Sequence, residues 1–512
     1  QLRQAMSAAS EGAAQAPSMP RRAALVALGV WMALCGGTLY AFSAFEVELM
    51  GGCHLSARQL DTIYAAGQMG VGGLGIVAGV LHDTCGPRAT LIYSSVLIGV
   101  GHWGMFVLLP ADGCGGYVAL AVLYGLAQNG STALYQVGLF QNVKAASAGS
   151  QSSVAGTVSA GYGLSAALFS AVYAQGFDRD LRAYFGGTGL TFGATALVAA
   201  AVLPALLGRG GANAYGHLED EKDGSRGEPT TLGKPQMLPC PSGGPASGQD
   251  PTTGGGSAEE LKRSPSGLAP RLDAASRTSL ATCPEPVPIQ AVFRAWDFWP
   301  FVATFALLQA IGSGIFIANL SLMTGSYGIP EGDRLQYVRA VSYCNCLGRF
   351  CAGCLIDVCE RHGMPRAAHL VWTAAVFVLA AGALRAAPER LLPGMIFPVA
   401  CVIGFGYGAN WAVMPAYVSG RFEGSHVGVC FNINGLTMAI LVLLTSSAVG
   451  RMYDEAAAEG GSKGGGDAVF CSGAHCWRRV FGLGLALSLA GLATSVTVAL
   501  LAPRLAARSA VL

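Results

Sequence analysis

The chain has 512 residues, of which 52% are hydrophobic and only 12% charged, with a net charge of +2 and a mean hydropathy of +0.47. A soluble fold of this length would need far more charge, and the near-neutral balance leaves no electrostatic footprint for nucleic acid. The composition describes an all-α protein whose main solvent is lipid, with about twelve apolar segments of roughly 20 residues, the length that carries a helix across a hydrocarbon core.

Residues 1–20 are mostly polar, Ala- and Ser-rich, and are expected to form a cytosolic tail. The first apolar stretch is long enough to span, so it reads as a membrane helix rather than a cleavable signal. Spans are expected at 23–45, 59–80, 89–109, 116–140, 153–175 and 185–207, a first six-helix bundle over 21–207. From 208 to 295 the composition shifts to Gly, Pro, Ser and mixed charge. Such a segment buries too little apolar surface to offset its ordering entropy, so a disordered cytosolic linker is expected. A second bundle over 296–503 is expected from spans at 298–322, 335–357, 367–386, 391–417, 427–450 and 478–502, with a tail at 504–512. The 72 glycines fit such bundles, because small residues let helix backbones approach closely in lipid.

Basic residues set the expected orientation. Arg21, Arg22, Arg88, Lys144, Arg209, Arg294, Arg361, Arg366, Arg421, Arg504 and Arg508 all fall on one side of the predicted spans. The other side carries Glu46, Glu48, Asp61 and Asp112. Both termini and the linker are therefore expected in the cytosol. Cys53, Cys114, Cys471 and Cys476 fall in loops on the opposite side, where disulfides persist; the sequence leaves bonded and free states open and does not set the connectivity. Cys344, Cys346, Cys351, Cys354 and Cys359 crowd the eighth span. With no His or carboxylate at ligand spacing among them, packed free thiols are expected there rather than a metal site.

One loop signature occurs twice. Gly79, Leu81, Asp83, Gly86, Pro87 and Arg88 follow one apolar stretch, and Gly353, Leu355, Asp357, Gly363, Pro365 and Arg366 follow another, which marks two related halves. Asp83 and Asp357 can cap the positive N-terminus of a neighbouring helix, a contact worth about 0.3–2 kcal/mol. With Gly79, Arg88, Arg349 and Arg366 they are read as a latch between conformations. The alternative is that these residues only anchor topology.

Further segments carry a resemblance. Residues Gly37-Thr38-Leu39-Tyr40-Ala41-Phe42-Ser43-Ala44-Phe45, Gly79-Val80-Leu81-His82-Asp83, Phe140-Gln141-Asn142 and Gly163-Leu164-Ser165-Ala166-Ala167-Leu168-Phe169 resemble the nodulin-like branch of the major facilitator superfamily. So do Trp411, Pro415, Ala416, Ser419, Phe422, His426, Gly428 and Asn432. The resemblance implies two six-helix bundles around a central cavity that opens alternately to each side, with monocarboxylate and oxalate/formate carriers as relatives. Gln151 and Ser159 stand where that branch carries cations, a departure that bears on anion binding.

Polar residues inside spans must face protein or water rather than lipid. Gln128, Ser131 and Tyr135 form one stripe of the fourth span, with Asn129, Thr132 and Gln136 beside it, and Tyr407 and Asn410 share a face of the tenth. With Tyr40, Gln309 and Asn432 these residues are the candidate substrate contacts, each also compatible with a helix–helix hydrogen bond. Asn129 and Asn410 occupy corresponding positions of the repeat. Arg339 is the residue chosen for bidentate capture of a carboxylate; Glu46 and then Asp61 are nearest to a proton-coupling site. Gly70-x-Gly72-x-x-Gly75 lies inside a helix and reads as packing rather than a nucleotide loop. No cofactor, metal constellation or catalytic triad is expected. The reading is a monomeric, multi-pass secondary transporter and not an enzyme, moving a small organic anion by alternating access, with a proton as the candidate coupled ion. A carrier of a neutral or zwitterionic solute such as an amino acid, and a transporter-like receptor or scaffold, are the alternatives.

Overall fold

The computed structural model describes residues 19–109, 112–146, 151–207, 289–421, 427–459 and 471–509. Among these the fold is all-α. The expected linker lies outside the described residues up to 288; within its last residues a short helix, Ile289–Arg294, stands where disorder is expected.

The first half comprises α1 (Met19–Gly36), α2 (Ala57–His82), α3 (Thr84–Leu108), α4 (Tyr117–Ala145), α5 (Ser152–Gly176) and α6 (Leu181–Leu207). The second comprises α7 (Phe298–Ser326), α8 (Glu331–Arg361), α9 (Ala368–Ala386), α10 (Leu392–Arg421), α11 (Val427–Glu459) and α12 (His475–Ser509). Among the described residues nine helices are long and apolar enough to cross a membrane, or ten when α1 is joined across a 41° bend to the turn Thr38–Ala44. Helices α4 and α8 have comparable length but more polar residues. Packing explains α4, whose stretch from Ala127 to Leu139 is buried without a break, so that its polar groups meet protein instead of lipid.

The repeated loop signature has a backbone cause. Gly86, at φ +81°, and Pro87 kink the helical run in the first turn of α3. In the second copy Gly363, at φ +77°, ends the run of α8 two residues before Pro365. A positive φ favours glycine, and proline cannot continue the hydrogen-bond ladder. At its other end α2 begins with a capping box in which Ser56 and Gln59 bond each other's backbone N–H.

The halves meet along α5 against α8 and α2 against α11. Close approach rests on glycine: a Cβ on Gly163 would stand 2.9 Å from the Cys346 nitrogen, and one on Gly72 would strike the Gly435 carbonyl. Gly70 packs likewise on Gly125, so this glycine run serves helix contact as its apolar setting suggests. Disulfides join Cys53 to Cys114 and Cys471 to Cys476, which marks one end of the bundle as the disulfide end. The five cysteines of α8 are free.

Candidate functional site

Between the halves lies a small cavity lined by Val71, Thr132, Tyr135, Tyr162, Arg349, Trp411, Phe431 and Asn432. Among the described residues its one charge is Arg349, on α8, with 1% of its surface exposed. The guanidinium is held from its own helix, where Nε donates to Asn345 Oδ1 at 3.1 Å, and from the other half, where Nη2 donates to the Tyr40 hydroxyl at 3.1 Å. Tyr162 and Trp411 each stand 5.4 Å from it in cation–π geometry, with Tyr40 at 6.0 Å. Tyr407 donates to the Tyr40 hydroxyl at 2.9 Å, which ties α10 to the first span through the same oxygen. Among the described residues no carboxylate pairs with Arg349. A guanidinium has five N–H donors; Asn345 and Tyr40 take two of them, and Tyr135 on the cavity wall is a further hydrogen-bond partner.

The sequence-derived residues divide. Tyr40, Tyr135, Tyr407 and Asn432 stand at the cavity or on its Arg349 wall. Gln128, Gln136, Gln309 and Asn410 are buried with amide atoms that have no partner among the described residues. Asn129 differs from expectation. Its Oδ1 accepts from Tyr93 at 2.7 Å and its Nδ2 donates to the Gly70 carbonyl at 2.9 Å, so both ends of the amide serve contacts between helices of one half. Arg339 also departs: it is half-buried near the start of α8 and lines none of the cavities described. Ten residues of helix, about 15 Å of rise, separate it from Arg349. The charge at the cavity is therefore Arg349, which the sequence reading assigned to the latch.

Of the remaining latch residues, Asp357 accepts a hydrogen bond from Ser153 across the halves at 2.8 Å. Arg366 is held within its own half by Glu360, at 2.7 Å, and by the Ala416 carbonyl. Arg88 is exposed, Gly79 packs against Asn432, and the side chain of Asp83 lies outside those described. Thr132, from the polar stripes of the fourth span, lines the cavity, whereas Tyr162 and Trp411 were not chosen as substrate contacts from sequence. Aromatic residues in apolar spans read as packing, and only their placement around a cation reveals another use.

Contacts across the halves occur on both sides of the cavity. Towards the disulfide end, Glu46 accepts from the Leu322 N–H at 2.8 Å, Ser321 donates to the Ser43 carbonyl, and Tyr64 and Ser313 share a hydrogen bond of 2.6 Å. Towards the other end, Ser153 meets Asp357, and Phe140 meets Phe431 edge-on at 6.3 Å. The halves are thus joined both above and below Arg349.

A family model described as the Major Facilitator Superfamily matches residues 26–446. In a bacterial homologue of the human lysosomal transporter Spinster, solved inward-facing and unoccupied, the similarity covers 95% of this chain and 96% of that one, at 15% identity and a TM-score of 0.54. At that identity the likeness speaks to the fold alone. No curated protein matches the chain.

Proposed function

The chain belongs to the major facilitator superfamily, a multi-pass membrane transporter family, and from that premise we propose that it carries a small organic anion, monocarboxylate-like, by alternating access. The observation that carries this reading is Arg349. A buried guanidinium without a counter-ion costs several kcal/mol, and a carboxylate offers bidentate bonds that offset the cost. Tyr40, Tyr162 and Trp411 hold the cation from its sides, which supports a substrate arriving from the cavity. Contacts across the halves on both sides of the site are of the kind that must break in turn for alternating access. The nodulin-like signatures agree with this reading, as does an orientation with both termini in the cytosol.

A proton is the proposed co-substrate. Glu46 lies just beyond the first span, fully buried, and its Oε2 has no partner among the described residues. Burial pushes its carboxyl well above the ordinary value of 4.5, with the nearby Asp61 and Glu48 adding to the shift and the Leu322 N–H opposing it. A neutral or zwitterionic cargo remains the second reading, favoured by the amides of Gln309 and Asn410, which have no partner among the described residues. Flux into vesicles containing the purified full chain decides between them. Uptake of short carboxylates that is lost in Arg349→Gln supports the anion; uptake of neutral analogues alone, unaffected by that substitution, refutes it.

A further inference from the structure

We propose that Cys471, His475 and Cys476 form a binding site for a zinc-like divalent cation that is available when the Cys471–Cys476 disulfide is reduced, and that this site braces the end of α7. Their three ligand atoms lie within 4.8 Å of one another. His475 Nε2 is 3.5 Å from the Cys471 sulfur and 3.8 Å from the Cys476 sulfur. Zinc bonded to sulfur at about 2.3 Å and to nitrogen at about 2.0–2.1 Å with tetrahedral angles sets a nitrogen-to-sulfur separation of about 3.5 Å. The imidazole therefore already stands where a ligand would, and reduction frees the sulfurs to spread around an ion. A further feature suits the chemistry. His475 is exposed while both sulfurs are buried, so the fourth position opens to solvent.

The site is tied to the contact between the halves. The Cys471 N–H donates to the Tyr453 hydroxyl at 3.2 Å, the Gly473 N–H to the Ser326 carbonyl at 2.8 Å, and the Trp477 ring N–H to the Ser326 hydroxyl at 2.9 Å. Ser326 ends α7 one turn beyond Ser321 and Leu322, the residues that bond Ser43 and Glu46 of the other half. Either cross-link, disulfide or metal, holds this strap closed over the end of α7. The reduced, metal-free strap lacks both.

The switch balances with a phosphine as reductant: the phosphine takes oxygen from water to become its oxide, the sulfur–sulfur bond breaks, and two thiols form. Zinc then replaces one proton on each thiol and takes the neutral imidazole as its third ligand. The test uses the purified full chain, reduced by a phosphine that is then removed, with zinc ion as the probe. Alkylation of Cys471 and Cys476 is followed by peptide mass spectrometry. Zinc is expected to protect both cysteines, a chelator to restore labelling, and His475→Ala to need at least about tenfold more zinc for the same protection. Cys53→Ser with Cys114→Ser should leave protection unchanged. Equal protection in His475→Ala, or none at Cys471 and Cys476 at any zinc concentration that leaves the fold intact by circular dichroism, overturns the site. Because His475→Ala keeps the disulfide, misfolding of cysteine variants does not shield the proposal.

Discussion

Replacing Arg349 by glutamine should separate two quantities that an ordinary buried ion pair would move together. A carboxylate about 4 Å from the guanidinium, at an effective dielectric constant of about 20, gains about 4 kcal/mol. Its loss corresponds to a fall in affinity of about a thousandfold. The unliganded protein responds differently. Breaking a buried ion pair costs about 3–5 kcal/mol because the partner charge is stranded, but among the described residues Arg349 has no carboxylate to strand. The glutamine variant forfeits the bonds to Asn345 and Tyr40 and three ring contacts worth about 0.5–1 kcal/mol each, while the desolvation cost of the cation disappears. The net change in stability should stay below about 2 kcal/mol. Lysine keeps the charge but not the fork, so Arg349→Lys should fall between the two. Thermal unfolding of the purified protein with and without a panel of short carboxylates reads both quantities. A large loss of stability with carboxylate affinity intact would refute the reasoning and make Arg349 a structural cation.

Asn129→Ala should cost about 1–3 kcal/mol of stability by orphaning the Tyr93 hydroxyl and the Gly70 carbonyl, yet leave substrate affinity unchanged, as measured by unfolding and by ligand titration in parallel. Ser153→Ala removes a hydrogen bond to the Asp357 carboxylate worth about 1.5–3 kcal/mol; spin labels on α5 and α8 should report a wider separation at that end, and an unchanged distance would mean the contact does not hold the halves. Because the Glu46 carboxyl lies above its ordinary 4.5 when the halves meet there, the joined state binds more protons. It should be favoured at low pH and weaken as pH rises from 4.5 towards the raised value, and Glu46→Gln should flatten that dependence in label distances across the disulfide end.

What the sequence determined is whatever is local or periodic. Apolar length places the spans because lipid leaves a backbone no partner except its own helix. Gly86 with Pro87, and Gly363 with Pro365, mark the same turn in both halves because φ and the missing N–H are properties of single residues. Polar stripes could say that Asn129 and Asn410 avoid lipid, but not toward what. Asn129 is consumed by Tyr93 and Gly70, whereas both amide atoms of Asn410 lack a partner among the described residues, and only the neighbouring helices distinguish two residues whose sequence settings match. Arg339 and Arg349 lie on the same helix. The tertiary structure decides that the second meets Tyr40, Tyr162 and Trp411, because the cage is assembled from spans far apart in the chain, and a cation's role depends on what surrounds it.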